Sequence, residues 1–550
     1  MQRKASHSAR AGISVLMLLA MLVAGLPANA RTDTESLQRA AGPRLRVLAY
    51  NDLGMHCYDG SYATLSFLPL FNVLRAQVIS VEAIPRLLTD TEAGVYYRAQ
   101  ADLNGSINTT SAGKTNFWRY AGMLYGALNL PVNQGLLGAR MPGSKNFRQP
   151  VSFNGASGWF EAPGIPITAY DDAGVKNSYP LMDVMAVDPL TNTVKARLPT
   201  VLPISDEISC SNCHATGKVA ASTTGFKWSA ALDPNVQSTE NILRVHDYIN
   251  GTTLFRNRPI LCASCHYSKA LDLNNAGPPQ NGHRYMSHSI HQWHAALVSA
   301  VPGTPDACYQ CHPGSATRCL RGVMANSGLV CTDCHGTMAA VGSTGREPWV
   351  DEPKCQSCHT GDVLQHLGAD VRLRTAYDDA PDVATPRMAA NKRFAENPAP
   401  LAPRRKALLY RNSVGHGKVS CAGCHGSPHA EWPTSESNDN LAPIQLQGYA
   451  GRITECTVCH LSGHKPTMNG PHGLHNVNST KWVNGHRGFV GTGDPCKRCH
   501  GAIGEGTVLS RVTKDRSFTL PPILGGATVA IPAQTLVTCG LCHVNPFGGP

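Results

Sequence analysis

The apolar residues of this 550-residue chain are ordered most clearly in its first 205 positions. Residues 45–50, 73–81, 95–101, 184–187 and 193–198 form short runs rich in Val, Leu, Ala and Tyr. Gly, Asn and Asp punctuate them, as in Asp171-Asp172-Ala173-Gly174 and Asp188-Pro189-Leu190-Thr191-Asn192. Such runs between turn residues predict strands. Their number predicts an all-β, sandwich-like antiparallel domain over residues 31–205. Residues 117–128 predict one short helix within it. From residue 206 onward the chain predicts a mainly α/coil region, with short helices at a repeated motif and little other regular structure.

Residues 1–30 have a different pattern. An apolar run over 11–26 follows Arg3, Lys4 and Arg10 and precedes Ala28-Asn29-Ala30. This is the layout of a secretory signal cleaved after a small-x-small site. The run falls short of the ~20 residues of a membrane-spanning helix. No later stretch is long and apolar enough to span. The mature protein is therefore expected to be exported, into a periplasm or onto the outer surface of a bacterium.

Charge adds little. The formal net charge is +11, with 48 Lys and Arg, but these are scattered rather than clustered, so nucleic acid is not expected as a partner. Gly113-Lys114-Thr115 lacks the glycine that a phosphate loop needs five positions earlier, where Asn108 stands, and nucleotide binding is excluded on that ground.

The unusual numbers are 20 Cys and 23 His. Cys-x-x-Cys-His occurs nine times: Cys210, Cys213, His214; Cys262, Cys265, His266; Cys308, Cys311, His312; Cys331, Cys334, His335; Cys355, Cys358, His359; Cys421, Cys424, His425; Cys456, Cys459, His460; Cys496, Cys499, His500; and Cys539, Cys542, His543. Export would make disulfides the default, but a histidine directly after every pair is not a disulfide pattern. Zinc sites join two such pairs or add distant histidines, and need no histidine at that position. The spacing is that of covalent haem c attachment, with two thioethers one turn apart and the next residue an iron ligand. Nine haems c are expected.

On these nine motifs the chain resembles the multihaem c-type cytochromes, and is similar to the large exported bacterial cytochromes of respiratory and extracellular electron transfer. The stretches from Asn51 to Cys57 and from Ser111 to Trp118 look like those found upstream of the haem region in such proteins. The motifs divide the chain into a five-haem region over 206–365, a linker or loop over 366–415 and a four-haem region over 416–550. A region with so few residues per haem must use the porphyrins themselves as core.

The second axial ligand decides chemistry, because a second histidine suits electron transfer and an open position permits substrate binding. Candidate distal ligands are His56, His246, His283, His288, His291, His294, His429, His464, His472 and His475, with His366, His416 and His486 ranked lower. His288, His291 and His294 recur every third residue and could serve neighbouring haems. His429 and His464 lie four residues after a motif histidine, on the proximal side, so as ligands each must serve another haem. The leftover Cys57 and Cys319 are expected to form a disulfide, the alternatives being Cys319 as an unusual thioether donor, Cys57 as a thiolate haem ligand, or free thiols, and His56 is expected to reach the haem region as a distal ligand. The expected function is electron transfer to redox proteins or to an extracellular acceptor, with self-assembly through the terminal haem as an added possibility. The alternative is a multihaem oxidoreductase acting on a small nitrogen or sulfur compound.

Overall fold

The computed structural model describes residues 44–273, 282–298, 307–349, 352–353, 409–461, 470–490, 496, 499–501 and 503–544. The described residues from 45 onward belong to one compact unit. Its organising element is an antiparallel sheet built from β1 (Arg44–Asn51), β4 (Val73–Val81), β5 (Arg86–Leu87), β6 (Gly94–Gln100), β7 (Gln149–Asn154), β8 (Trp159–Pro163), β9 (Leu181–Val187) and β10 (Val194–Val201). Between these lie two-residue strands β2 (His56–Cys57) and β3 (Leu65–Ser66). The strand order is β1-β4-β8-β7-β6-β9-β10, with β5 on β4.

The expected two-layer sandwich is instead one continuous sheet, curled nearly into a barrel. The reason is β7. Its first half, Gln149 to Val151, pairs with β6, and its second half, Ser152 to Asn154, pairs with β8. One strand thus joins two half-sheets, as strands do at the corners of curled sheets. Side chains alternate on β6, where Val95, Tyr97 and Ala99 are buried and their neighbours half-buried. With Val47, Ala49, Leu74, Ala76, Val78, Phe160, Met182, Val184 and Ala186 they form the apolar core. Helix α1 (Phe117–Tyr125) covers it with Phe117, Ala121 and Leu124, spaced on one helical face. The helix ends at Gly126 in the left-handed conformation. Lys114 is spent structurally, bonding Asn108 Oδ1, Tyr170 O and Asp172 Oδ1.

The sheet is also the platform for the motifs. Strand β12 (Ile260–Leu261), directly before Cys262, pairs in parallel with β3. Strand β11 (Ile204–Ser205) pairs in parallel with β2. Gln77 on β4 accepts from the Ser420 amide at 2.8 Å and donates to Lys418 O at 3.2 Å, just ahead of Cys421. Arg75 pairs with Glu161 at 2.7 Å and donates to Asn412 Oδ1 at 3.0 Å. Glu207 accepts from the amides of Ser315, Ala316 and Thr317 at 2.7–2.9 Å, just after His312.

Asp59 is a buried carboxyl between the sheet and this region. It accepts from Ser66 Oγ and the amides of Phe67 and Leu68 at 2.6–3.0 Å. Burial raises its pKa from 3.8 to about 7, against the pull of those donors. The folded state therefore binds this proton more tightly than the unfolded chain, and stability falls as pH rises from about 4 to about 7. Asp59→Asn should remove that contribution, at most ~1.4 kcal/mol per pH unit. Denaturation midpoints at acid and neutral pH check this, and identical pH slopes in both proteins would refute it.

Candidate metal centres

Four of the motifs each close a single turn by a backbone hydrogen bond. The His214 amide donates to Cys210 O at 2.8 Å, His266 to Cys262 O at 2.9 Å, His312 to Cys308 O at 2.8 Å and His460 to Cys456 O at 2.9 Å. Side chains at the first, fourth and fifth positions of such a turn share one face. Gly336, Gly426 and Gly501, with φ of 72°, 94° and 90°, follow their motif histidines and turn the chain away.

Eight motif histidines lie in the described residues, and each faces a histidine from elsewhere in the chain. Ring centres are 6.2 Å apart for His214 and His294, 6.1 Å for His312 and His291, and 6.1 Å for His335 and His429. They are 5.9 Å apart for His425 and His472, 6.0 Å for His460 and His416, 6.3 Å for His500 and His475, and 5.9 Å for His543 and His486. His266 is flanked by two, His246 at 6.3 Å and His283 at 6.0 Å. A ring nitrogen lies about 1.1 Å from its ring centre, so two imidazoles on opposite sides of one metal, with bonds of about 2.0 Å, stand about 6.2 Å centre to centre. The observed separations match.

In six of these histidines the ring nitrogens are committed accordingly. Nδ1 donates to a backbone carbonyl in His266 (Arg284 O, 3.0 Å), His291 (Ser287 O, 2.7 Å), His294 (Ile290 O, 2.7 Å), His486 (Val483 O, 2.8 Å), His500 (Val537 O, 2.8 Å) and His543 (Val544 O, 2.8 Å). A carbonyl only accepts, so Nδ1 carries the proton and the Nε2 lone pair is left for a metal. In His246 the partner of Nδ1 is Thr252 Oγ1 at 3.0 Å. Burial pushes His335 down to about 3 and His291 and His475 to about 4. These rings are neutral near pH 7, as a metal ligand must be.

The pairs are grouped. His291 and His294 sit three residues apart on helix α2 (Met286–Val298) and face the third and first motifs. Asn212 and Gln310, inside those two motifs, are hydrogen-bonded at 3.3 Å. His472 and His475, also three apart, face the sixth and eighth motifs. His429 faces the fourth motif and not its own neighbour His425, so one pair joins the 206–365 and 416–550 regions. The Ile453 amide donates to Cys424 O at 2.8 Å, which sets the sixth motif beside the segment that leads into the seventh.

Three expectations are corrected. His56 does not face a motif histidine among the described residues. Its Nε2 bonds Asp52 Oδ1 at 2.8 Å, both side chains are buried, and Phe71 lies beside the ring. His288 likewise spends Nε2 on Arg346 O at 2.8 Å and stacks on Tyr285. Cys57 and Cys319 are not bonded to each other, and Cys319 Sγ lies 3.7 Å from His429 Nδ1. His416 and His486, ranked lower from sequence, do face motif histidines. Cys355, Cys358, His359, His366 and His464, and most of the 366–415 linker, lie outside the described residues.

The upstream Asn51–Cys57 stretch has a structural role. Asn51 Oδ1 accepts from the amides of Leu53 and Gly54 at 3.1 and 2.8 Å. Gly54 has φ 75°, and a Cβ there would fall 1.7 Å from Pro428 O. The loop thus packs backbone to backbone on the turn that carries His429. Among the described residues no helix is long and apolar enough to cross a membrane. Comparisons with family models, with curated proteins and with solved structures find no match.

Proposed function

We propose that the chain is an exported multihaem c-type cytochrome that carries nine covalent haems and passes electrons along them to redox partners or an extracellular acceptor. The observation that carries this reading is the pairing of every described motif histidine with a second imidazole at the separation two axial ligands require. When bound, haem supplies one-electron exchange at its iron.

The chain supplies the rest. The cysteine pairs would fix position, and the Nδ1 bonds ring orientation, which limits the reorganisation a redox change demands. Ligands three residues apart, as in His291 and His294, set two centres next to each other, the arrangement that electron hopping needs. A catalytic centre would need an open axial position, and a facing imidazole stands at each described motif, which favours electron transfer over the oxidoreductase alternative.

The test is intact mass with spin counting. Mature protein from an exporting host should weigh residues 31–550 plus nine haems, and oxidised samples should give low-spin EPR signals. Bound zinc in place of haem, or cysteines all open to alkylation, would end this reading.

A further inference from the structure

His429 differs from the other distal histidines in what its Nδ1 touches. At four of those others the partner is a backbone carbonyl, as for His291, His294 and His486, or the Thr252 hydroxyl, as for His246. At His429 it is a sulfur, Cys319 Sγ, at 3.7 Å. This is one of the two cysteines that the nine motifs leave over.

The contact is held from several sides. Strands β13 (Gly426–Ser427) and β14 (Ala430–Glu431) form a hairpin whose two-residue turn is Pro428 and His429. His429 has a left-handed backbone, φ 65°. Its carbonyl accepts from the amides of Arg321 and Gly322, both at 2.8 Å. Its amide donates to Glu431 Oε1 at 3.0 Å. A Cβ on Gly322 would lie 2.5 Å from the Glu431 amide nitrogen, so residues 319–322 can approach this hairpin only with glycine there. Arg321 Nη1 also donates to Cys319 O at 3.2 Å. The segment that carries the sulfur is therefore fixed against the hairpin by backbone bonds, with Arg321 and Glu431 bracing it.

We propose that Cys319 is a positioning residue for the fourth haem: its sulfur accepts the Nδ1–H of His429, holds that ring towards His335, and lowers the reduction potential of the iron between them. With Nε2 on a metal, a neutral imidazole carries its proton on Nδ1, so the sulfur is the acceptor. Sulfur is the more polarisable partner, and a bond that draws on the Nδ1 proton makes Nε2 a better electron donor, which favours the oxidised iron. The proposal rests on the haem reading above.

The experiment is a stepwise spectroelectrochemical titration of full-length holoprotein, wild type against Cys319→Ala, Cys319→Ser and Cys57→Ala, with EPR on each. In Cys319→Ala one of nine components should move to a more positive potential while all haems stay low-spin. Cys319→Ser, whose hydroxyl keeps an acceptor at this position, should move it less, and Cys57→Ala should not move it. Unchanged potentials in Cys319→Ala, or an equal shift in Cys57→Ala, would overturn the role of Cys319. Absence of haem from the wild-type protein would instead overturn the function on which it rests, so the two failures are distinguishable.

Discussion

His291→Ala and His294→Ala should each leave one iron five-coordinate, so that the reduced protein binds one equivalent of carbon monoxide where wild type binds little or none. The argument is geometric. The two rings face His312 and His214 at 6.1 and 6.2 Å, and both spend Nδ1 on the backbone carbonyl one turn earlier in α2. Alanine is a good helix former, so the helix should survive. The third histidine of the set gives an internal control. His288 bonds Arg346 O and stacks on Tyr285, so His288→Ala should bind no carbon monoxide and should lose only stability, on the order of 1–3 kcal/mol for a buried hydrogen bond and its packing. Optical titration with carbon monoxide and EPR of the oxidised proteins read this directly. Equal behaviour of all three variants would refute the assignment of distal ligands.

Arg321→Met should destabilise the protein by about 3–5 kcal/mol, the cost of leaving a buried charge without its partner. The Arg321 side chain is wholly buried. Its Nε and Nη2 donate to the two oxygens of Asp439 at 2.6 and 3.1 Å, and Nη1 donates to Gly54 O at 2.6 Å. The guanidinium also lies over the Tyr179 ring, 4.9 Å from its centre. One side chain thus links the sheet domain, the segment after the third motif and the segment after the sixth. Lysine cannot reproduce the fork, so Arg321→Lys should recover little. The double variant Arg321→Met, Asp439→Leu should recover much of the loss, because it removes the orphaned carboxylate as well. Denaturation midpoints of these proteins and of the single variant Asp439→Leu, followed by far-ultraviolet circular dichroism, test this. If the double variant is as unstable as the two single losses combined, the charge argument fails and packing alone explains the effect.

Local information was legible from sequence because it is local. Alternation and turn residues located the strands near residues 45–50, 73–81 and 95–101, which became β1, β4 and β6. The helix expected over 117–128 became α1 and stops where Gly126 turns left-handed. Strands β7 and β8 carry no such signal, since β7 is six residues long and contains Pro150. Only pairing with β6 and with β8 makes it a strand, and that pairing turned an expected sandwich into one curled sheet.

The same division runs through the candidate centres. Cys-x-x-Cys-His occupies a single helical turn, so five residues determine where two sulfurs and one imidazole point, and sequence alone names the proximal ligands. The facing imidazole comes from 20 residues away for His246 and His266, and from 94 for His335 and His429. Nothing in the immediate neighbourhood of His416 or His486 separates them from His56 or His288. Tertiary structure separates them through the ring nitrogens: Asp52 and Arg346 O take Nε2 of His56 and His288, while Val483 O takes Nδ1 of His486 and leaves Nε2 to face His543. Cys319 belongs to the same class, because a leftover cysteine in the sequence becomes a partner for His429 only when Arg321, Gly322 and Glu431 clamp two distant segments together. The sequence by itself named the candidate centres and the residues expected to attach them. The fold decided which histidines complete them, because a facing pair is a contact between distant segments and its geometry exists only once the chain has closed.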